Sequence, residues 1–205
     1  MRSIDFVRRI QRSNTPVFTT AQAAKVIDKS EKYASLFLAR LCKAGEIKAL
    51  ERGKYYLTGT SVYSIASNVM YPSYISMLSA FRYHRITTQI LVQMEVVSIT
   101  RHLPVANVDG YLIKFIKFGP NRFFGFYRDR EGGAFVAYIE KAIVDSLYME
   151  NIPFAYVEEA AESAERDGKL NHERLDIFTD RMRSATLKKR VDKLYRSIGK
   201  ERNKH

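Results

Sequence analysis

The sequence predicts an α+β protein. Residues 1–59 read as a winged helix-turn-helix, and residues 60–205 as a mixed α/β domain with a helical C-terminal segment (60–150 mixed, 151–205 helical with a basic end). Three observations predict this. Short apolar-periodic segments, each opened by a Ser or Thr, run directly into a basic hairpin between Glu46 and Leu57. From Tyr71 helix-like and strand-like runs alternate, and beyond Ala155 the pattern is helical alone. With 205 residues, 46% of them hydrophobic and 12% aromatic, the chain can build its cores without staples.

In the N-terminal part, Ser3 can cap a first helix whose apolar residues Phe6, Val7 and Ile10 fall on one face. Asn14-Thr15-Pro16 ends it. Thr19 opens a second helix, with Gln22 three residues on in capping-box spacing and Ala23, Ala24 and Ile27 as its apolar side. After a turn at Asp28-Lys29, Ser30 caps a third helix that ends near Ala44-Gly45, where glycine suits the left-handed C-terminal position. Ala34, Phe37, Leu38 and Leu41 follow i, i+3, i+4, i+7 spacing and are its expected core face. The opposite face is centred on Lys32, Leu36, Ala39 and Lys43, flanked by Tyr33, Ser35 and Arg40. Ile47–Leu50 and Tyr55–Leu57 read as strands joined through Glu51-Arg52-Gly53-Lys54, with Gly53 free to take positive φ.

Charge favours a polyanionic partner. The formal net charge is +12, and residues 1–59 carry 12 Lys and Arg against 5 Asp and Glu, a net of +7. In a helix-turn-helix the N-terminal part of the second helix enters the major groove, and its later residues meet the backbone. Lys32 and Ser35 are therefore the candidates for base-edge hydrogen bonds, Leu36 for contact with a thymine methyl, and Tyr33 for the edge of that face. Arg40 and Lys43 are placed to hold phosphates, and Arg52 and Lys54 at the hairpin tip suit phosphate or minor-groove contact. The expected partner is double-stranded DNA.

Other classes fare worse. Cys42 is the only cysteine, so neither an internal disulfide nor a thiolate zinc site is expected. His84, His102, His172 and His205 are too scattered for ligand spacing. No apolar run approaches the roughly 20 residues of a membrane span. The first residues, charged at Arg2, Asp5, Arg8 and Arg9, do not form a signal peptide, and a cytoplasmic location is expected.

Further along, Tyr74–His84 reads as a helix with Ile75, Leu78 and Phe81 or Arg82 along one face. Strand-like runs follow at Leu91–Thr100, Tyr111–Phe118 and Phe123–Arg128. The second has apolar residues on both faces (Leu112, Ile113, Phe115, Ile116), as a covered strand should. Asp129–Gly133 is a turn, Ala134–Ala137 an extended run, and Tyr138–Met149 a helix with Ile139, Ala142, Ile143 and Leu147 at helical spacing. Ala155–Arg166 reads as an acidic helix ended by Gly168, and Asn171 can cap a helix bearing Leu175, Phe178 and Met182. The last helix, Thr186–Ile198, has a seam of Leu187, Val191, Leu194 and Ile198. Either the seam docks on its own domain and the surrounding cations are solvated, or it helps form a homodimer or a second DNA or partner contact. Lys188, Lys189, Arg190 and Lys193 are the candidates for that contact. Residues 199–205 are expected to fray.

Candidate catalytic groups have plainer readings. Glu140 sits in a first helical turn, where the helix dipole favours it, and Lys141 and Asp145 form an i, i+4 pair. Asp129 and Glu131 could hold a metal, but a Gly-rich turn without a nearby third ligand reads better as a solvated tip. Glu46-Ile47-Lys48 belongs to the wing, and His84 on an apolar helix reads as a packed core residue. No phosphate-binding Gly-rich loop or nucleophile elbow is present. Neither catalysis nor a cofactor is expected. The alternatives are a regulator whose central domain senses a small ligand, or an enzyme acting on nucleic acid and targeted by the wing.

One set of motifs is familiar in its order. Tyr71-Pro-Ser-Tyr-Ile-Ser-Met-Leu-Ser-Ala-Phe-Arg-Tyr-His, Ile86-Thr-Thr-Gln, Phe123-Phe-Gly-Phe, Ile139-Glu-Lys-Ala-Ile-Val-Asp and the closing Leu187-Lys-Lys-Arg-Val-Asp-Lys-Leu resemble the AbiEi family. Its members are antitoxins of bacterial and archaeal toxin–antitoxin, or abortive-infection, operons. The resemblance spans nearly the whole chain, and it departs at Arg85-Ile86, where the pattern would place glycine before an aliphatic residue. It implies a DNA-binding regulator that represses its own operon and counteracts a nucleotidyltransferase-like toxin, without necessarily binding that toxin.

Overall fold

The structure, a computed structural model, describes residues 1–200; the last five residues of the stretch expected to fray lie outside the described residues. The chain opens with α1 (Ser3–Arg12), β1 (Val17–Thr19), α2 (Thr20–Ile27), α3 (Glu31–Lys43), β2 (Ile47–Glu51) and β3 (Lys54–Leu57). Thr19 and Gln22 form a reciprocal capping box at α2, with Gln22 N donating to Thr19 Oγ1 at 3.1 Å and Thr19 N to Gln22 Oε1 at 2.8 Å. Asp28 turns the chain in the left-handed conformation, and Ser30 Oγ accepts from Tyr33 N to start α3. Ser3 is not a cap: it is the first helical residue of α1, and the N-cap residue Arg2 makes no side-chain capping bond, its guanidinium donating to Asp5 Oδ2 at 3.0 Å instead.

The short strand β1 has only three residues and so no alternation of its own to mark it in the sequence. It pairs antiparallel with β3, Phe18 opposite Tyr55, to give a sheet ordered β1-β3-β2. Phe6, at the centre of this unit, meets Phe18 and Phe37 edge-on at 5.8 and 5.4 Å, above buried Ala34, Leu38, Leu41 and Ile47.

The larger unit continues with α4 (Val62–Ala66), β4 (Ser73–Ile75), α5 (Met77–Tyr83), β5 (Gln93–Ser98), β6 (Val105–Val108), β7 (Tyr111–Lys117), a 3-10 turn at Pro120–Arg122, β8 (Phe126–Arg128) and β9 (Phe135–Ala137). The helices α6 (Ile139–Met149), α7 (Phe154–Arg166), α8 (His172–Arg181) and α9 (Ala185–Ser197) follow. Its sheet runs β6-β7-β5-β4-β9-β8, with β5/β7 and β4/β9 parallel and the other neighbours antiparallel.

Three readings of the sequence need correction. Tyr74–His84 is not one helix, because Ser73–Ile75 pairs with Ser98–Val96 as a central strand before α5 begins. The strand expected from Phe123 begins only at Phe126. Gly125 takes φ +74° there, and a Cβ on it would lie 3.0 Å from both Lys141 Cγ and Phe178. The run Tyr111–Phe118 is covered only in part: Ile113 and Ile116 are buried, while Leu112 is exposed.

Helix α6 is the centre of the unit, with every residue from Ile139 to Leu147 buried. The α9 seam docks here, on its own unit: Leu187, Val191 and Leu194 are fully buried, Ile198 partly so, and Tyr195 joins them with its hydroxyl 3.1 Å from Asp176.

Past α5, Arg85 takes φ +59°, and Ile86 N donates to Phe81 O at 3.0 Å to close the helix. A non-glycine residue in this conformation costs roughly 1–2 kcal/mol. Arg85→Gly is therefore expected to raise stability by about 1 kcal/mol, read as a melting temperature higher by roughly 2–4 °C.

Candidate nucleic-acid interface

Because α3 buries Ala34, Leu38 and Leu41, its remaining surface is set by helical geometry. Lys32, Tyr33, Ser35, Leu36, Ala39, Arg40 and Lys43 are all exposed, and the structure brings them together on one face. Leu36 is 60% exposed and Tyr33 46%, large apolar surfaces left in water beside cations. Among the described residues Lys32, Arg40 and Lys43 form no ion pair within the chain. Ser35 Oγ donates to Glu31 O at 3.0 Å, so in this rotamer its hydroxyl has only acceptor capacity left for a partner.

The wing separates its two predicted cations. Arg52 is exposed at the turn beside Gly53, which takes φ +73°. Lys54 is not a free tip residue. Its ammonium donates to Val69 O at 2.5 Å and pairs with Glu51 at 2.8 Å, which turns it toward the segment between α4 and β4. Lys48 is tied likewise to Asp109, at 2.5 Å.

Most of the C-terminal cations are also engaged within the fold. Lys188 pairs with Asp180 at 2.8 Å; Arg190 pairs with Glu150 and donates to Leu147 O at 2.8 Å; Lys193 lies 4.2 Å above the Phe154 ring. Lys189 is exposed.

Residues 5–58 match a family model described as transcriptional regulator, AbiEi antitoxin. The N-terminal module is thus similar to AbiEi antitoxin transcriptional regulators over residues 5–58. No curated protein matches the chain. The AbiEi module runs from α1 through the wing, so every candidate on α3 and on the turn falls inside it. No helix of the described residues is long and apolar enough to cross a membrane.

The candidate catalytic groups outside the AbiEi module are held in structural settings. Lys141 and Asp145 are an ion pair with both side chains 0% exposed. Tyr74 and Ser76 hydroxyls donate to Asp145 Oδ2 at 3.0 and 2.7 Å, and the rings of Phe124 and Phe118 lie 4.5 and 5.1 Å from the Lys141 ammonium. Burial pushes the Asp145 carboxyl up and the Lys141 amine down, each against the pull of the other. Glu140 accepts from Asn171 N at 2.8 Å, and Asp129 Oδ2 accepts from Gly132 N at 2.7 Å, closing its turn. Among the described residues no three His, Cys, Asp or Glu side chains are grouped to hold a metal ion. The burial of Lys141 and Asp145 had a sequence signal, since apolar residues surround both on every side of the helix.

His84 packs as expected. Its ring Nε2 lies 2.8 Å from Ala137 O, which assigns the proton to that nitrogen in the neutral form. Burial pushes its pKa down, so the folded state binds fewer protons here than the unfolded chain. Stability from this site is complete above the ordinary histidine value of about 6.5 and is lost as pH falls from there through the lower folded value. Urea midpoints should fall between about pH 7 and pH 5, and His84→Gln should flatten that slope.

Proposed function

We propose that this chain is a DNA-binding repressor of its own toxin–antitoxin operon and the antitoxin to a nucleotidyltransferase-like toxin. Residues 1–59 act as the DNA-binding domain and residues 60–205 as the antitoxin-type domain. The observation that supports this best is the solvent-facing side of α3, where Lys32, Arg40 and Lys43, without an ion pair among the described residues, flank exposed Leu36 and Tyr33 within a module of AbiEi type. In this reading Lys32 and Ser35 address base edges and Leu36 a thymine methyl, while Arg40, Lys43 and Arg52 hold phosphates. Lys54 reaches the backbone only by giving up its bond to Val69. The protein works in the cytoplasm, as a homodimer if its operator is palindromic.

The test is fluorescence-anisotropy binding to the protein's own upstream DNA and to a scrambled duplex at two salt concentrations. Tighter binding to the upstream piece that persists at the higher salt is expected. Equal binding to both duplexes, erased by salt, would reduce the module to a nonspecific anchor and overturn the repressor reading. For the antitoxin half, co-expression should restore growth to cells carrying the neighbouring toxin gene.

A further inference from the structure

On the larger unit an open cleft of about 680 Å³ is lined by Tyr63, Arg82, Tyr83, Arg85 and Thr87. Its aromatic wall is the pair Tyr63 and Tyr83, whose rings meet edge to face at 5.2 Å. Arg82, in the last turn of α5, and Arg85, just beyond it, are both exposed, and among the described residues neither has an ion-pair partner. Arg85 stands in the left-handed conformation, which Gly, Asn or Asp adopt at lower cost.

Three carboxylates lie near the cleft. Asp129 accepts from Gly132 N; burial first, and the Asp129 charge second, hold the Tyr83 phenol up at about 12. Glu159 accepts from Thr88 N, Thr88 Oγ1 and Gln89 Nε2 at 3.2, 3.0 and 3.1 Å. Glu131, the remaining acid acting on Tyr83, is exposed to water. Among the described residues none of these carboxylates is paired with Arg82 or Arg85, so both guanidiniums keep their N–H groups for an anion from solvent.

Two guanidiniums lining one cleft suit a phosphate, which they can grip through paired, charge-assisted N–H bonds. A phenol ring beside them offers a flat surface to an aromatic base, as stacking sites do. The cleft's volume falls within the usual range for small-molecule sites. We propose that this cleft binds a free mononucleotide, its phosphate on Arg82 and Arg85 and its base against Tyr63 or Tyr83. This goes beyond the repressor reading and does not depend on it. The cleft is also close to the AbiEi module in sequence, since Tyr63 belongs to α4, which starts just after the wing.

The experiment is isothermal titration calorimetry of the full chain with AMP, GMP and inorganic phosphate, repeated on Arg82→Ala/Arg85→Gly. A nucleotide should bind with Kd below about 1 mM and at least about tenfold more tightly than inorganic phosphate, and the double variant should weaken it at least about tenfold. Because Arg85→Gly relieves a left-handed residue, an unchanged or higher melting temperature in that variant excludes misfolding as the cause. Three results would overturn the proposal. The first is no saturable heat with either nucleotide; the second is equal binding by parent and double variant. The third is a variant that loses affinity for duplex DNA while the parent binds no nucleotide, which would assign the arginines to the DNA backbone.

Discussion

Lys141→Met is expected to lower folding stability by about 3–5 kcal/mol, the range found when one member of a buried ion pair is removed. The methionine fills much of the lysine volume, so the loss comes from the Asp145 carboxylate, left at 0% exposure with the Tyr74 and Ser76 hydroxyls as its remaining donors. Adding Asp145→Asn removes the stranded charge and keeps an oxygen for those hydroxyls. The double variant should therefore regain roughly 2 kcal/mol or more of what the single change loses. Chemical denaturation of the two singles and the double measures this directly. A loss below about 1 kcal/mol in Lys141→Met would show that the pair is not held as charges. The Gly125 turn should feel the same change, since its backbone lies against the Lys141 stem.

The second large effect concerns DNA. Lys32→Ala should weaken binding to the preferred duplex by about 1–3 kcal/mol and binding to a scrambled duplex by much less, because a base-edge contact carries sequence information. Arg40→Ala, Lys43→Ala and Arg52→Ala should weaken both duplexes alike and each reduce the salt slope by about 1. Ser35→Ala should cost less than Lys32→Ala, since the Ser35 hydroxyl hydrogen is already spent on Glu31 O. Equal losses for both duplexes in every variant would remove α3 as the reading element.

The AbiEi module was largely legible in the sequence because its signals are local. Thr19 with Gln22, Ser30, and the spacing of Ala34, Leu38 and Leu41 each act within a few residues, and the structure places them as read. The elements that escaped notice owe their form to distant partners. Residues Val17–Thr19 are a strand only because Tyr55 and Tyr56 lie beside them, and Ser73–Ile75 only because β5 and β9 flank it. Four-residue β6, with Ala106 and Asn107 exposed, shows no alternation to detect. Of the candidate DNA contacts, the α3 face followed from periodicity, whereas the bond that withdraws Lys54 from the wing tip depends on Val69, fifteen residues away. The i, i+4 relation of Lys141 to Asp145 was plain, yet its setting depended on four other helices, α5, α7, α8 and α9, packing around α6.

Among the described residues five side-chain ties cross from the AbiEi module to the larger unit: Lys54 to Val69 O, Lys48 and Tyr56 to Asp109, His102 to Glu51, and Arg128 to Asn14 O at 2.8 Å. Their anchors lie on both wing strands and on the bend after α1. A reading head clamped in this way has no swivel, so whatever grips the body also steers the head. Anything that grips or shifts the larger unit is then felt at the wing strands themselves, through Asp109 and Val69.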